Sequence, residues 1–297
     1  MSVTVRVPAK VNVQLAVGAA RPDGYHDLAN VFLAVGLYDE VTVTAADGLR
    51  VTCAGPDAEQ VPLDRTNLAA RAALLLAERY GRDADVHLHI AKDIPVAGGM
   101  AGGSADGAGA LLACDALWGT GASREELLDI CAELGSDVPF SLVGGAALGT
   151  GRGERLTELE VGGAFHWVFA MASRGLSTPA VFREFDRLGE GREIPEPVAS
   201  RELLDALAKG DADALAATVS NDLQPAALSL FPELADTLAA GRAAGAPASL
   251  VSGSGPTTAF LARDAEAAEG IAGALRASGT CRTVRTAAGP VPGATIV

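Results

Sequence analysis

The 297-residue sequence predicts an α+β protein, and three stretches support that class. Residues 3–17 alternate between apolar and polar side chains, which is typical of a half-buried strand or of two strands broken near Pro8. Residues 86–91 also alternate, and they lead through a glycine-rich loop into an Ala- and Leu-rich helix at residues 106–118. Beyond about residue 160, helical stretches mix with a few short strands. Helices combined with antiparallel strands indicate the α+β class.

Charge and composition exclude several classes of protein. A formal net charge of −14 and a pI near 4.7 argue against a nucleic-acid-binding surface. The four cysteines have no C-x-x-C spacing, so we expect reduced thiols and no structural zinc. The sequence shows no signal peptide and no apolar run of about 18 residues. We expect a cytoplasmic protein without nucleic-acid or membrane partners; no feature predicts its oligomeric state.

The first predicted strand carries Lys10, Asn12 and Gln14 on one face. An ordinary solvated face accounts for Gln14, whereas Lys10 and Asn12 could instead line a cleft. Lysine occurs elsewhere only at Lys92 and Lys209, although arginine is common. Because lysine is a compact charge with a tunable pKa, each of the three positions could carry a role that arginine cannot fill.

A turn is predicted directly after this strand, at Pro22-Asp23-Gly24, from the fixed φ of proline, a capping side chain and a glycine. Tyr25 and His26 follow, and a hairpin connection is the simplest explanation for them. Further strands are predicted at residues 31–43 and 49–53.

Two amphipathic helices are predicted in the first half. The first covers residues 66–80, with Thr66 as N-cap and Gly81 as its stop. The second covers residues 123–134, where Ser123 and Glu126 fit a capping box.

The stretch from Pro95 to Ala105 is the most informative feature of the sequence. It is uncharged, rich in glycine, and lies between a predicted strand and a predicted helix. Glycines admit a ligand close to the backbone, and a helix N-terminus offers free N–H groups and partial positive charge. These properties favour a phosphate site. The loop matches neither the Walker A nor the G-x-G-x-x-G spacing, and a simple Gly/Ala-rich connection is the alternative in a chain with 35 glycines.

Residues 136–139 (Ser-Asp-Val-Pro) fit two interpretations equally well: the start of a short helix, or a catalytic carboxylate at Asp137. A second half begins near residues 155–160. Its predicted strands are 164–171, two within 248–262 joined by Ser252 to Pro256, and 283–286; its predicted helices are 179–188, 201–208, 211–219, 233–244 and 264–277.

Four motifs, taken together and in this order, resemble those of the GHMP small-molecule kinases. They are Pro8-Ala-Lys-Val-Asn12, Arg21-x-Asp-Gly-Tyr-His26, the loop Pro95 to Ala105, and Gly135-Ser-Asp-Val-Pro139. Ser252 to Pro256 resembles the C-terminal glycine loop of the same family. The first two motifs are most similar to the branch that acts on a cytidine-diphosphate-linked methylerythritol.

The resemblance implies an S5-like N-terminal domain, residues 1–156, and a ferredoxin-like C-terminal domain, residues 157–297. It implies ATP-dependent phosphorylation, with Mg²⁺, of the 2-hydroxyl of the methylerythritol moiety in the non-mevalonate route to isoprenoids. By motif match, Lys10 and Asp137 are the catalytic pair, and Asn12, Tyr25, His26 and Phe182 bind the substrate. The ATP loop comprises Pro95, Val96, Ala97, Gly98, Gly99, Met100, Ala101, Gly102, Gly103, Ser104 and Ala105.

The loop departs from the family pattern G-G-G-L-G-G-G-S-S at Ala97, Met100, Ala101 and Ala105. Ser104 is consequently its one hydroxyl for magnesium or phosphate, and no carboxylate ligand is predicted. Two alternatives are another GHMP kinase, of the sugar or homoserine type, and a non-catalytic nucleotide-binding protein. The Tyr25-His26 pair argues against the first, and retention of both Lys10 and Asp137 argues against the second.

Overall fold

The first half of the chain forms most of a large sheet and the helices that pack on it. The structure, a computed structural model, describes residues 1–96 and 98–297, so Ala97 of the predicted ATP loop lies outside the described residues. The strands here are β1 (Ser2–Ala20), β2 (His26–Ala45), β3 (Arg50–Ala54), β4 (Val86–Ala91), β5 (Ala146–Thr150) and β6 (Arg155–Glu158). The helices are α1 (Leu68–Arg79), α2 (Gly102–Trp118), α3 (Arg124–Leu134) and α4 (Val138–Val143).

The long hairpin of β1 and β2 is the centre of this sheet. The two strands pair antiparallel from Ser2↔Thr44 to Ala20↔His26, and their register shifts between Pro8 and Ala9. Proline has no N–H for the ladder, so an irregularity there is expected. The predicted turn is confirmed: Gly24 has φ +82°, and Asp23 Oδ1 accepts a hydrogen bond from the Tyr25 amide at 3.0 Å.

Both faces of β1 are covered, which the alternating pattern did not predict. Its apolar residues pack in the core, and Lys10, Asn12 and Gln14 are also buried. The solvated face predicted for Gln14 is therefore wrong. Gln14 donates to the Val198 carbonyl at 3.0 Å and accepts from the Ser200 amide at 2.8 Å. Its amide thus ties β1 to a segment from the second half of the chain.

Two helix starts differ from the prediction. The side chain that caps α1 is Asn67, which accepts a hydrogen bond from the Ala69 amide, and Thr66 bonds to Asp64 instead. Helix α2 begins at Gly102, four residues before the predicted start, so the end of the glycine loop forms its first turn. The capping box at the start of α3 is confirmed.

The second half builds a four-stranded sheet and adds two short strands to the first sheet. Its strands are β7 (Phe165–Met171), β8 (Ser220–Asn221), β9 (Ala248–Val251), β10 (Thr258–Ala262), β11 (Thr283–Gly289) and β12 (Thr295–Ile296). Its helices are α5 (Thr178–Gly189), α6 (Arg201–Lys209), α7 (Ala212–Ala216), α8 (Gln224–Leu230), α9 (Leu234–Ala243) and α10 (Ala265–Ser278). Of these, α8, β8 and β12 were not predicted.

The strand order of the second sheet is β11-β7-β10-β9, all antiparallel. Strand β8 pairs parallel with β1, and β12 pairs antiparallel with β1, so the second half completes the first sheet. The predicted α+β class is confirmed, while the boundary between residues 156 and 157 stays a prediction. Among the described residues, no helix is long and apolar enough to cross a membrane.

Candidate active site

A cavity of about 710 Å³ opens where β1, the N-termini of α2 and α4, and helix α5 converge. Twelve of the predicted site residues line it: Lys10, Asn12, Tyr25, His26, Gly98, Gly99, Ala101, Gly102, Gly103, Ser104, Asp137 and Phe182. Pro95 and Val96 lie beside smaller cavities, and the side chains of Met100 and Ala105 are buried in the core. Most of the predicted site residues therefore line the same cavity.

The backbone of the glycine loop is shaped by close contacts. Gly99 has φ +71°, and a Cβ on it would lie 2.2 Å from the Ser252 carbonyl oxygen, so only glycine fits. Ala101, one of the departures from the family pattern, also has a positive φ, +61°. It occupies the N-cap position of α2 without a side-chain cap, which leaves the first amides of the helix open to a ligand.

Lys10 links three elements at the floor of the cavity. Its Nζ donates to Asn12 Oδ1 at 2.6 Å and to the Gly99 carbonyl at 2.9 Å, and it lies 3.6 Å from Asp137 Oδ2. The Lys10 side chain is 5% exposed, whereas that of Asp137 is 32% exposed. Burial lowers the pKa of Lys10, and the nearby Asp137 carboxylate opposes that shift.

A short helix begins beside Asp137, as the helix-start interpretation predicted, yet the Asp137 carboxylate does not act as a cap. Asp137 is the N-cap residue of α4, with Pro139 in the first turn, and its side chain makes no capping hydrogen bond. The carboxylate instead faces the cavity and pairs with Lys10. The predicted helix start at residues 136–139 is confirmed, and the catalytic role of Asp137 stays a prediction.

The aromatic residues lie at the other end of the cavity. The Phe182 ring packs on the His26 ring, with centroids 4.9 Å apart and planes tilted by 33°. Tyr25 is 52% exposed, and the Arg152 guanidinium lies 5.2 Å from its ring centroid. Two flat surfaces, Tyr25 and the Phe182–His26 pair, thus border the same space.

Several polar residues of the site escaped the sequence analysis. Asn30 Oδ1 accepts from Asn12 Nδ2 at 2.7 Å, which orients the Asn12 carbonyl oxygen toward Lys10. Arg152 and Asp186 also line the cavity. These three residues belong to none of the sequence motifs, and only the tertiary fold brings them to the site.

A buried charge cluster lies beneath the start of α2. Lys92 Nζ contacts the Asp39 carboxylate and lies 3.0 Å from Asp106 Oδ2. Asp39 Oδ1 also accepts from the Asp93 and Ile94 amides at 2.7 and 2.8 Å, whereas Asp106 Oδ1 is buried without a partner among the described residues. Burial raises the pKa of Asp106 to about 8, although Lys92 opposes the shift. The scarcity of lysine was the one sequence signal for this cluster.

A smaller cavity of about 210 Å³ adjoins the glycine loop at Gly103. Val61, Pro62, Leu68 and Val96 give it apolar walls. Its polar residues are Thr66, Asn67, Lys92 and Asp106. Apolar walls with a few polar groups are typical of a small-molecule site.

The described residues contain no cluster of three or more His, Cys, Asp or Glu side chains that could hold a metal ion. Ser104 and Asp137 do line the large cavity. Mg²⁺ commonly takes one or two protein ligands and completes its shell with water and substrate phosphates. The residues present therefore fit a magnesium ion that is bound mainly through a nucleotide.

Comparison with known proteins places the chain in a family. The model described as GHMP kinases N terminal domain matches residues 67–145, and that described as GHMP kinases C terminal matches residues 203–281. A Streptomyces coelicolor protein named 4-diphosphocytidyl-2-C-methyl-D-erythritol kinase is 85% identical over the full length of both chains. A Mycolicibacterium smegmatis protein of the same name is 57% identical, covering 100% of this chain and 92% of its own.

Solved structures agree with these matches. A crystal structure of 4-(cytidine 5'-diphospho)-2C-methyl-D-erythritol kinase has a TM-score of 0.76 and 35% identity, covering 96% of this chain and 98% of its own. Homoserine kinase from Cytophaga hutchinsonii also has a TM-score of 0.76, but at 21% identity it shares the fold alone. The chain belongs to the GHMP kinase family, on the branch whose members are named 4-diphosphocytidyl-2-C-methyl-D-erythritol kinase.

Proposed function

We propose that this chain phosphorylates the 2-hydroxyl of 4-diphosphocytidyl-2-C-methyl-D-erythritol with ATP, as a step of non-mevalonate isoprenoid biosynthesis. The observation that carries the proposal is the Lys10–Asp137 pair, 3.6 Å apart, on the floor of one cavity. Open helix amides border that cavity on one side and aromatic rings border it on another. The names of relatives up to 85% identical supply the substrate.

Asp137 and Lys10 would act directly on the transfer. Asp137 accepts the proton of the substrate hydroxyl as the hydroxyl oxygen attacks the γ-phosphorus of ATP. The bond between the γ-phosphorus and the β–γ bridging oxygen breaks, which releases ADP. Lys10 offsets negative charge near the attacking oxygen. Phosphoryl transfer otherwise depends on positioning and charge neutralisation. The buried Lys10 ammonium, held by two hydrogen bonds and by its ion pair with Asp137, is suited to both.

The ATP phosphates would bind at the loop Pro95 to Ala105, on the first amides of α2 at Gly102, Gly103 and Ser104. The cavity beyond Gly103 suits the adenine ring, because its walls are apolar and Asn67 lies at its edge. Ser104 would be a protein ligand for Mg²⁺, which would neutralise phosphate charge when bound. ATP use follows from membership of this kinase family; the magnesium ligand, like a cytoplasmic location, is a prediction.

The cytosine would bind between Tyr25 and the ring of Phe182, with His26 at its edge. Stacking on aromatic rings contributes about 1–3 kcal/mol per base but does not distinguish one base from another. Asn12, which is held between Lys10 and Asn30, would bind beside the reacting end of the substrate.

The proposal is tested by measuring ADP release from the purified protein with ATP, Mg²⁺ and a panel of acceptors. We expect turnover with 4-diphosphocytidyl-2-C-methyl-D-erythritol and none above background with homoserine, mevalonate or galactose. Turnover with one of the other acceptors alone would assign a different GHMP kinase activity. ATP binding without transfer to any acceptor would instead favour a nucleotide-binding protein.

A further inference from the structure

Three residues of helix α5 contact the ring of His26. The Phe182 ring packs on the His26 ring, and the Phe185 ring meets it edge-on, with centroids 5.9 Å apart at 81°. Asp186 Oδ1 lies 2.8 Å from His26 Nε2. The three α5 residues have the spacing i, i+3 and i+4, which places them on one helix face. The His26 side chain is 4% exposed, so the ring is held in a fixed position.

A carboxylate has no proton to give, so the 2.8 Å hydrogen bond requires the proton to be on Nε2 of His26. A neutral imidazole carries one N–H, which makes Nδ1 an acceptor in this arrangement. Among the described residues, Nδ1 has no hydrogen-bond partner, and His26 lines the large cavity. The ring thus retains one acceptor for a bound molecule.

An acceptor at this position distinguishes the two common pyrimidines. Cytosine presents a 4-amino donor, whereas uracil presents an O4 acceptor at the same position. We infer that Asp186 is a positioning residue that fixes His26 as the Nε2–H tautomer and thereby sets the preference for a cytidine over a uridine substrate. This inference rests on the proposed function, because it requires the pyrimidine to bind beside His26.

The tautomer is measured directly by long-range ¹H–¹⁵N correlation on protein labelled with ¹⁵N-histidine, at pH 8 without substrate. The chain has four histidines, and His26→Gln identifies the signals of interest by their loss. We expect a protonated Nε2 and a bare Nδ1 in the wild type. In Asp186→Asn the side-chain amide can donate or accept, so the Nδ1–H tautomer should become populated. A wild-type His26 that is protonated on Nδ1, alone or together with Nε2, overturns the inference.

Selectivity is measured as the ratio of kcat/KM for the cytidine substrate to that for its uridine analogue. We expect the wild type to favour cytidine by about tenfold or more, which is about 1.4 kcal/mol. Asp186→Asn should reduce the ratio at least about threefold, because a donor on Nδ1 can meet O4 of uracil. Asp186→Glu retains a carboxylate, so this variant should keep most of the wild-type selectivity ratio. Glu190→Gln, a matched exchange at the exposed end of α5, should leave it unchanged.

The two kinds of failure are distinguishable. A selective wild type whose ratio does not move in Asp186→Asn overturns the inference alone and leaves the proposed kinase activity intact. A wild type that uses both analogues equally overturns the cytosine site, and one that uses neither overturns the proposed function. Circular dichroism of each variant confirms that the fold is retained, which is expected because the Asp186 side chain is 41% exposed.

Discussion

At the scale of residues, the three lysines separate into two kinds. Lys10 and Lys92 are buried among carboxylates and carbonyl oxygens, whereas Lys209 ends helix α6, where a cation is favoured by the helix dipole. The sequence could predict that these lysines were unusual, because arginine is the common cation of the chain. It could not predict the partners of Lys92, since Asp39 and Asp106 are brought to that lysine by strand pairing and helix packing.

The Lys10–Asp137 pair should behave as one unit in catalysis. Asp137→Asn and Lys10→Met are each expected to reduce kcat by about 10²- to 10⁴-fold. The double variant should be little slower than the slower single variant, because each group depends on the other. Single-turnover rates measured by rapid quench test this, with Lys209→Met as a lysine control outside the cavity. Losses that multiply in the double variant would show that the two groups act independently.

The buried cluster of Asp39, Lys92 and Asp106 should make stability depend on pH. Two carboxyl groups share one ammonium group. Asp106, whose Oδ1 has no hydrogen-bond partner in the described part of the chain, is the one to carry the extra proton. Its pKa is about 8 in the folded protein against 3.8 ordinarily, so the folded state binds more protons between those values. The free energy of unfolding should therefore fall as pH rises through that window, by at most about 1.4 kcal/mol per pH unit.

Asp106→Asn should remove this contribution and be more stable than the wild type at pH 9, with a smaller difference at pH 5. Urea unfolding at several pH values measures it, and Asp205→Asn on the exposed face of α6 is the control. Parallel pH dependence in Asp106→Asn and the wild type would contradict a raised pKa at Asp106.

At the scale of elements, local signals predicted most helices and strands but misplaced the start of the most important one. The run Gly102-Gly103-Ser104 reads as loop because glycine disfavours helix. The run nevertheless forms the first turn of α2, because close packing there requires a small residue in spite of the low helix propensity of glycine. A Cβ on Gly102 would lie 2.8 Å from Lys92 Nζ. Likewise β8 and β12 have two residues each and no pattern of their own. Both strands form because they pair with β1.

Gly103 is the position in this turn where a side chain should affect ATP and spare the fold. Apart from its chain neighbours and its own helix backbone, the nearest described atom to a Cβ there is Leu68 Cδ1, at 3.8 Å. The residue borders both cavities. Gly103→Val should therefore fold normally and reduce ATP affinity at least about tenfold, or 1.4 kcal/mol, because the isopropyl group occupies the approach to the helix amides. Gly270→Val, in an open position of α10, is the matched control.

Calorimetric titration with ATP measures the affinity of both variants. Unchanged affinity in a folded Gly103→Val would show that the phosphates do not approach the backbone at this turn.

At the scale of the whole molecule, the site is assembled from both halves of the chain. Ser252 Oγ donates to the Gly99 carbonyl at 3.0 Å, and the same carbonyl accepts from Lys10. A Cβ on Gly253 would lie 3.1 Å from Asn12 Oδ1 and 3.3 Å from Lys10 Nζ. The loop between β9 and β10 therefore supports the glycine loop from behind. The resemblance identified both loops as motifs of the family, but it did not predict that they touch.

Asn221, in β8, fastens that second loop to the first sheet. Its Nδ2 donates to the Val251 carbonyl at 2.6 Å and to the Gly253 carbonyl at 2.7 Å, while Oδ1 accepts from the Leu223 amide at 2.9 Å. The Asn221 side chain is buried. Asn221→Asp keeps the shape of the side chain but replaces the two donated hydrogen bonds with contacts between oxygen atoms.

The expected cost of Asn221→Asp is about 2–4 kcal/mol in the free energy of unfolding, since each buried group left unsatisfied costs about 1–3 kcal/mol. Because the Gly253 backbone lies beside Lys10 and Asn12, kcat should also fall, by about tenfold, with the ATP affinity less affected. Urea unfolding and steady-state kinetics on the folded fraction measure the two effects. Asp205→Asn, the reverse exchange on an exposed helix face, should change stability by no more than about 0.5 kcal/mol. A variant that loses stability and keeps full kcat would show that the second loop supports the fold without positioning the catalytic pair.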